Sequence, residues 1–581
     1  MSMNRKQRRA ASKQMPFAAS ADKTSSADEL FSQAAWQQNL GKRELAKKLY
    51  SRAIAVDAGH PESLNNLACL LLEDGKLREA SEIFAQLLAA TPELADNSQG
   101  IIASLYAVNP AFVDATTKAN QADFTNAEGL FGADGVRAIM RDPLLLRVLQ
   151  SMTVRDTGLE IVLTAVRADM MKSVADGNGS QHDDRLAFYC ALAKQCFINE
   201  YVFTQSDDET TQVEKLRQSI QSAISSDAPL STFELVALAC YVPLCDLAGS
   251  NSLQNRTWPY PVADLITQQV AEPLEEQSLR AGIPALTEIS DPVSRNVREQ
   301  YEQNPYPRWV YAASARKTTE LSEHLRKSFP TVPIKPFDES HGLDILIAGS
   351  GTGRHPIEVV QLYKNARVQA IDLSLASLAY AKRKTPPAFA GRLQYAQADI
   401  LNLGGIGKTF DVIESSGVLH HMADPFAAWR GLLPLLRPDG VMRIGLYSEL
   451  ARQDIVGARK FIAQRGYSTA PRDIRRARRD LLKSEFASVA RSGDFFSTSE
   501  CRDLLFHVQE QRMTLPQIKQ FLDAEDLRFI GFDMEPAMLA HCREVFANSG
   551  WSMTDLNRWN EFEQRHPRTF ATMYQFWVQR R

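Results

Sequence analysis

Leu343–Asp372 reads LDILIAGSGTGRHPIEVVQLYKNARVQAID. Residues 343–348 are a short apolar run, the pattern of a strand buried on both faces. Gly349, Gly351 and Gly353 follow at alternate positions, where glycine permits a tight turn and lets a ligand approach the backbone. Pro356 and the apolar spacing behind it predict the first turns of a helix. Val368–Ile371 is a second short strand, ended by Asp372. That acid lies 23 residues after Gly349, near the spacing at which a carboxylate takes the two hydroxyls of a ribose. Strand, glycine turn, helix and strand-end acid make a nucleoside-binding half-fold.

The dinucleotide fingerprint G-x-G-x-x-G would place its third glycine at position 354, which is Arg354. The pattern here is G-x-G-x-G. Further strands are expected at Gly391–Ile400, carrying Asp399, and at Phe410–Glu414. The latter is followed by Ser415, Ser416 and GVLHHMADP (417–425). A helix through Trp429 to Leu436, the turn Arg437–Gly440 and a fifth strand, Val441–Leu446, come next. Leu515–Leu522 reads as a helix, Arg528–Met534 as a sixth strand and Met573–Val578 as a seventh, the last aromatic and β-branched like an internal strand.

This order, with the glycine loop and the LRPDG turn, resembles the class I S-adenosylmethionine-dependent methyltransferases over roughly residues 300–581. The resemblance implies an α/β Rossmann-like domain with a seven-stranded, mostly parallel sheet whose last strands pair antiparallel. It implies S-adenosylmethionine as cofactor. Gly349, Gly351 and Gly353 would surround its methionine part, Asp372 would hold the ribose, and Asp399 and Ile400 would flank the adenine. Glu414, Ser415 and Ser416 would lie at the tip of the fourth strand, near the methionine amine and the acceptor. His420 and His421 are the first candidates for a catalytic base. No pair of residues has metal spacing with further ligands, so no metal is expected. Two rivals remain: a repeat scaffold with an inactive nucleoside-binding domain, and an NAD-binding oxidoreductase, which Arg354 disfavours.

The chain has 581 residues, so more than one domain is expected. With 44% apolar and 23% charged residues it is an ordinary globular composition, and its net charge of −3 gives no global pull toward nucleic acid or an anionic membrane. The seven cysteines show no C-x-x-C or zinc spacing, which suits a reduced, cytoplasmic protein. There is no apolar segment of signal-peptide or membrane-spanning length.

Residues 1–26 are basic, then Ala/Ser-rich, and read as a disordered arm, either solvated or touching phosphates. Residues 27–94 repeat with a 34-residue period: Gly41 matches Gly75, Ala46 matches Ala80, Tyr50 matches Phe84 and Ala53 matches Leu87. These positions resemble the tetratricopeptide repeat, with Leu30 and Leu64 where that family has its first-helix tryptophan. They imply either a groove for a peptide or protein partner or a short structural adaptor. Ile101–Leu105 would cap the stack or dock on the next region of the chain. Helical apolar spacing then dominates 95–295, with loops expected at Lys172–Asp184 and Gly249–Trp258. Cys196, Asn199 and Glu200 there read as structural. The whole arrangement resembles bacterial tetratricopeptide-repeat methyltransferases, in which the methyl acceptor is open.

Tyr301–Trp309 (YEQNPYPRW) precedes the catalytic fold. Its two prolines predict an extended strap, with Tyr306 and Arg308 at the methionine end of the cofactor or Tyr306 and Trp309 as packing anchors. Tyr447–Gln511 is an insertion carrying nine basic residues between Arg452 and Arg479. It reads either as a lid over an anionic acceptor, small molecule or protein, or as a solvated helix pair. His507 and Glu510, near its end, are further acid/base candidates.

Overall fold

The computed structural model describes residues 25–121, 127–177, 185–314, 317–336 and 338–581. Most of the expected basic arm, and residues 178–184 of the expected loop, lie outside the described residues. The chain divides into two compact units, Met1–Thr91 and Pro92–Arg581. The residues on both sides of the boundary expected at 295/296 belong to the second unit.

In the first unit, α1 (Ala27–Asn39), α2 (Arg43–Val56), α3 (Pro61–Glu73) and α4 (Leu77–Ala90) make two helical hairpins of matching length. Ser26 caps α1 through a capping box with Glu29. Gly41 and Gly75, at φ +75° and +73°, make the two equivalent turns. Ala46, Ala80, Tyr50, Phe84, Ala53 and Leu87 are all buried, so the 34-residue period is a period of core positions.

The second unit begins with helices. Ile101–Leu105 lies in the helix Gln99–Ala107. The long helix α5 (Thr157–Ala175) absorbs Lys172–Ala175, where a loop was expected, and Ser250–Asn255 forms a 3-10 helix in the other expected loop. α6 (Leu186–Ile198), α7 (Glu272–Leu279) and α8 (Pro292–Gln303) carry the chain to the sheet. Glu200 accepts from the Ser499 N–H at 2.6 Å, which ties the helical region to the insertion. The seven cysteines are free thiols.

Seven strands form one sheet in the order β3-β2-β1-β4-β5-β7-β6. They are β1 (Asp344–Ala348), β2 (Arg367–Asp372), β3 (Leu393–Gln397), β4 (Phe410–Ser416), β5 (Leu436–Leu446), β6 (Leu527–Phe532) and β7 (Tyr574–Arg580). β1–β5 pair in parallel, and β7 is antiparallel to both β5 and β6. Alternate residues of β1 enter opposite cores: Leu346 and Ala348 pack on one face, Ile345 and Ile347 on the other. This double burial is why the strand reads as a continuous apolar run.

Two details differ from expectation. Asp399 lies two residues beyond β3, which ends at Gln397. The expected turn Arg437–Gly440 is a bulge inside β5, where the register jumps from Leu436 opposite Phe410 to Val441 opposite Val412.

Around the sheet lie α9 (Arg354–Leu362), α10 (Leu375–Lys384) and α11 (Pro425–Leu432). The insertion contains α12 (Gln453–Gln464), α13 (Pro471–Leu482) and α14 (Thr498–Phe506), with a core of its own that includes Ile474, Leu481 and Phe495. After α15 (Leu515–Ala524) and β6, two helices absent from the sequence expectation, α16 (Pro536–Asn548) and α17 (Leu556–Arg565), pack on one face of the sheet through Phe546, Trp559 and Phe562.

Candidate active site

The β1–α9 turn is held by β2: the N–H groups of Gly349 and Ser350 both donate to the Ile371 carbonyl at 2.9 Å. Gly349 has φ +85°, and a Cβ there would meet Val418 at 2.2 Å; Gly351 has φ +52°, and a Cβ there would meet the Tyr306 carbonyl at 2.6 Å. Both positions therefore require glycine for conformation and for space. Gly353 begins α9, and its Cβ space is filled by Ala381 of α10. Gly349 and Gly351 line a cavity of about 370 Å³; Gly353 is not among its lining residues, so its part is helix packing.

Asp372 also lines this cavity. One carboxylate oxygen accepts from the Gly351 N–H at 2.8 Å and the other from the Ser374 N–H at 2.9 Å. Burial raises its pKa, against the pull of those donors. Each oxygen keeps a further lone pair for a ligand. Asp399 is fully buried between the lining residues Ala398 and Ile400. Its Oδ1 caps the turn at Leu401 N at 3.0 Å, while its Oδ2 has no hydrogen-bond partner among the described residues. A buried carboxylate oxygen without a donor is costly, and an amino group presented by a ligand would remove that cost.

Glu414 and Ser415 lie behind the cavity wall. Neither is among the lining residues. Glu414 meets His355 Nε2 at 2.8 Å and accepts from Arg443 Nη1 at 3.3 Å. Burial would raise its carboxyl, but these two partners outweigh it and hold the pKa at about 2. Glu414 thus orients His355 and Arg443, which do line the cavity. Ser415 donates to the Ala348 carbonyl at 3.1 Å between β4 and β1, and Ser416 is the serine that faces the cavity.

The strap lies on the glycine loop. Thr352 N–H donates to the Tyr306 carbonyl at 3.3 Å, the Thr352 hydroxyl to the Pro307 carbonyl, and Trp309 Nε1 to Thr352 Oγ1 at 3.0 Å. Tyr306 lines the cavity and stacks on Tyr301, with ring centres 6.3 Å apart. Trp309 is a buried anchor, as the second of the two expected uses of the strap has it. Arg308 is absent from this cavity and belongs to a second one.

The three histidines separate. His420 is fully buried outside the lining set, stacked 3.7 Å from Tyr447, with both ring nitrogens unpartnered. Burial, then His421 and Arg452, lowers its pKa well below the ordinary value. His421 faces the cavity. Its Nδ1 meets the Gln509 carbonyl at 2.8 Å, and since a carbonyl only accepts, Nδ1 carries the proton and Nε2 the lone pair. Burial lowers its pKa, so the ring is neutral at pH 7. His507 stacks on His421 at 3.6 Å. Its Nδ1 accepts from the Gln509 N–H at 3.0 Å, so its Nε2 is the donor, 3.1 Å from the Tyr301 hydroxyl. Tyr301 in turn donates to Asp503 Oδ1 at 2.6 Å. Burial lowers the pKa of His507 and raises that of Asp503.

His421, Asp503 and His507 have ligand atoms within 4.8 Å of one another, a set of the kind that can hold a metal ion. Their hydrogen bonds describe a different device. The two imidazoles lie face to face at 14°, so a cation in the plane of one ring is out of the plane of the other, and His507 Nε2 is committed as a donor. The arrangement is a relay, His507 to Tyr301 to Asp503, beside a free imidazole lone pair.

The nine basic residues of the insertion are not lining residues either. Arg452 and Arg459 pair with Glu510 at 2.8 Å. Arg465 and Arg479 pair with Asp480, Arg476 with Asp473 and Arg472 with Asp207, while Arg475 donates to the Tyr201 carbonyl. Arg478 is buried in a two-point pair with Glu160 of α5 at 2.9 and 2.7 Å, and also donates to the Phe495 and Val202 carbonyls. Lys460 is exposed. What the insertion brings to the cavity is Tyr447 and Asp503.

Residues 346–444 match a family model described as a methyltransferase domain. A curated protein of Synechococcus sp., described as uncharacterized, is 26% identical over 258 residues, which are 41% of this chain and 60% of that protein. The chain thus spans about 60% of the length of this curated relative. The structure of PKMT2 from Rickettsia typhi is similar over 44% of this chain and 52% of that one, with TM-score 0.36 and 13% identity. The plantazolicin methyltransferase BpumL in complex with SAH is similar over 54% of this chain and 100% of that one, with TM-score 0.24 and 16% identity. The α/β half of the second unit is a methyltransferase-type fold, on the family match and the strand order together.

Proposed function

We propose that the chain is an S-adenosylmethionine-dependent methyltransferase acting on a protic nucleophile, with His421 as the base. The observation that carries this reading is one cavity bounded by Gly349, Gly351, Asp372, Ile400 and His421, with the unpartnered Asp399 oxygen directly behind its wall. Its volume of about 370 Å³ falls within the roughly 300–1,000 Å³ of small-molecule sites. The residues fit the cofactor: Asp372 can accept from ribose hydroxyls, and Asp399 Oδ2 from an adenine amino group. When bound, the cofactor supplies a methyl group activated on sulfonium. His421 Nε2 accepts the acceptor's proton, and the Gln509 carbonyl fixes the tautomer that makes this possible. Tyr301, Tyr306 and Tyr447 wall the cavity and exclude water.

Asp372→Ala removes the ribose acceptor. It should weaken binding of S-adenosylhomocysteine by about 1.5–3 kcal/mol, the range for hydrogen bonds to a charged group. Calorimetry is the check, and unchanged affinity would remove Asp372 from the ribose site.

We assign the two helical hairpins of the first unit to recognition of a protein or peptide. Residues 27–91 hold a single histidine, His60, which caps α3 by accepting from Ser63 N. Deleting residues 1–91 should leave S-adenosylhomocysteine affinity intact. A folded truncated chain that no longer binds it would make the repeats part of the cofactor site.

A further inference from the structure

A second cavity of about 200 Å³ lies on the other side of the strap. Four cationic side chains line it: Lys194, Arg308, Arg383 and Lys384. Two of them are neutralised within the protein. Lys194 is paired with Asp264, and Arg383 with Glu272 at 2.9 Å and Glu276 at 2.8 Å. The other two have no carboxylate in contact among the described residues. Arg308 makes no hydrogen bond or ion pair among the described residues; its guanidinium sits 4.9 Å from the Phe197 ring centre and 5.4 Å from that of Tyr380. Lys384 Nζ donates to the Val310 carbonyl at 3.1 Å and lies 5.7 Å from the same Tyr380 ring.

Two cations gathered around one ring repel each other, and burial adds to the cost. Burial lowers the Lys384 ammonium to about 8, with Arg383 and Arg308 pushing the same way against Glu272. Aromatic faces offset only part of a missing counter-charge. The wall also holds a polar atom in want of a donor: the amide oxygen of Gln268 has no hydrogen-bond partner among the described residues. Gln268 belongs to a π-helical turn, Thr267–Ala271, between the helix Tyr260–Ile266 and α7. Such turns occur often at ligand sites.

We propose that this cavity binds a small hydroxyl-bearing oxyanion, a phosphate or hydroxycarboxylate, through the fork of Arg308 and the ammonium of Lys384. The guanidinium offers parallel donors to two oxygens of such an anion, the ammonium a point charge, and Gln268 an acceptor for its hydroxyl. The site is independent of the methyl-transfer reading. The strap borders both cavities: Tyr306 and Pro307 line the first, and Arg308 and Trp309 the second.

The test is calorimetry on the full chain at constant ionic strength, with inorganic phosphate in one arm and citrate in the other. Saturable binding in at least one arm is expected, weakened tenfold or more in both Arg308→Met and Lys384→Met. The arm that binds names the anion class. Far-ultraviolet dichroism and melting of each variant show that it is folded; if Arg308→Met does not fold, Lys384→Met alone decides. Absence of saturable binding in both arms, or binding that survives in every folded variant, overturns the proposal.

Discussion

His421→Gln should lower methyl transfer by about 10²–10⁴-fold, the usual contribution of a positioned base, while leaving S-adenosylhomocysteine affinity unchanged. The readout is radiolabelled methyl incorporated from S-adenosylmethionine into an extract of cells lacking the protein. Glutamine keeps a donor for the Gln509 carbonyl but supplies no titratable lone pair. The pH profile gives a second readout. Burial depresses the pKa of His421 in the folded protein, so the neutral, active form persists below the ordinary histidine value of about 6.5, and the acid limb of the wild-type rate should lie below it. Transfer that survives the substitution with the same acid limb would exclude His421 as the base. His420 offers a contrast: it is as buried as His421 but turned away from the cavity, against Tyr447.

Arg478→Met should destabilise the second unit by about 3–5 kcal/mol, the cost of leaving one partner of a buried ion pair unpaired. Here the abandoned groups are Glu160 and the carbonyls of Phe495 and Val202. Combining it with Glu160→Met should recover much of the loss, because two apolar side chains leave no buried charge. Urea midpoints of the two single variants and the double variant form the cycle. A single variant within about 1 kcal/mol of wild type would mean that water reaches the pair. Such a loss would also loosen α14, which carries Asp503 and leads into His507.

The sheet from β1 to β5 is legible in the chain because each strand holds buried apolar residues, continuous in β1 and alternating with polar ones in β2 and β3, with glycine, proline or an acid nearby. Gly349 and Asp372 follow from spacing along one βαβ unit, where near neighbours in sequence are near in space, and Ile400 follows from the family resemblance alone. The relay is not legible. Tyr301 and Asp503 lie 202 residues apart, and nothing local marks either as a partner of the other. His355 and Arg443 converge on Glu414 from α9 and β5, which only the sheet register brings together. The ion pairs of the basic insertion are not legible for a related reason. A run of arginines looks like a free positive surface until its acids are seen, and Glu160 is 318 residues from Arg478. α16 and α17 were missed because the sixth and seventh strands, read as a closing pair, leave no reason to expect helices between them.

The position of β7 has a kinetic consequence. β6 pairs with β7 alone, and β5 has β7 on its outer side, so β7 is the strip that joins β6 to the rest of the sheet. Between β5 and β7 the chain must first fold the insertion, α15, β6, α16 and α17. Pairing over such a separation carries a large loop-closure entropy before any contact rewards it, which makes it a late event. Until then β6 is a strand with no partner, and β5 offers a bare hydrogen-bonding edge to any other extended chain. The β5-β7-β6 side of the sheet is thus the part completed last, and crowding of half-folded chains threatens this protein there before anywhere else.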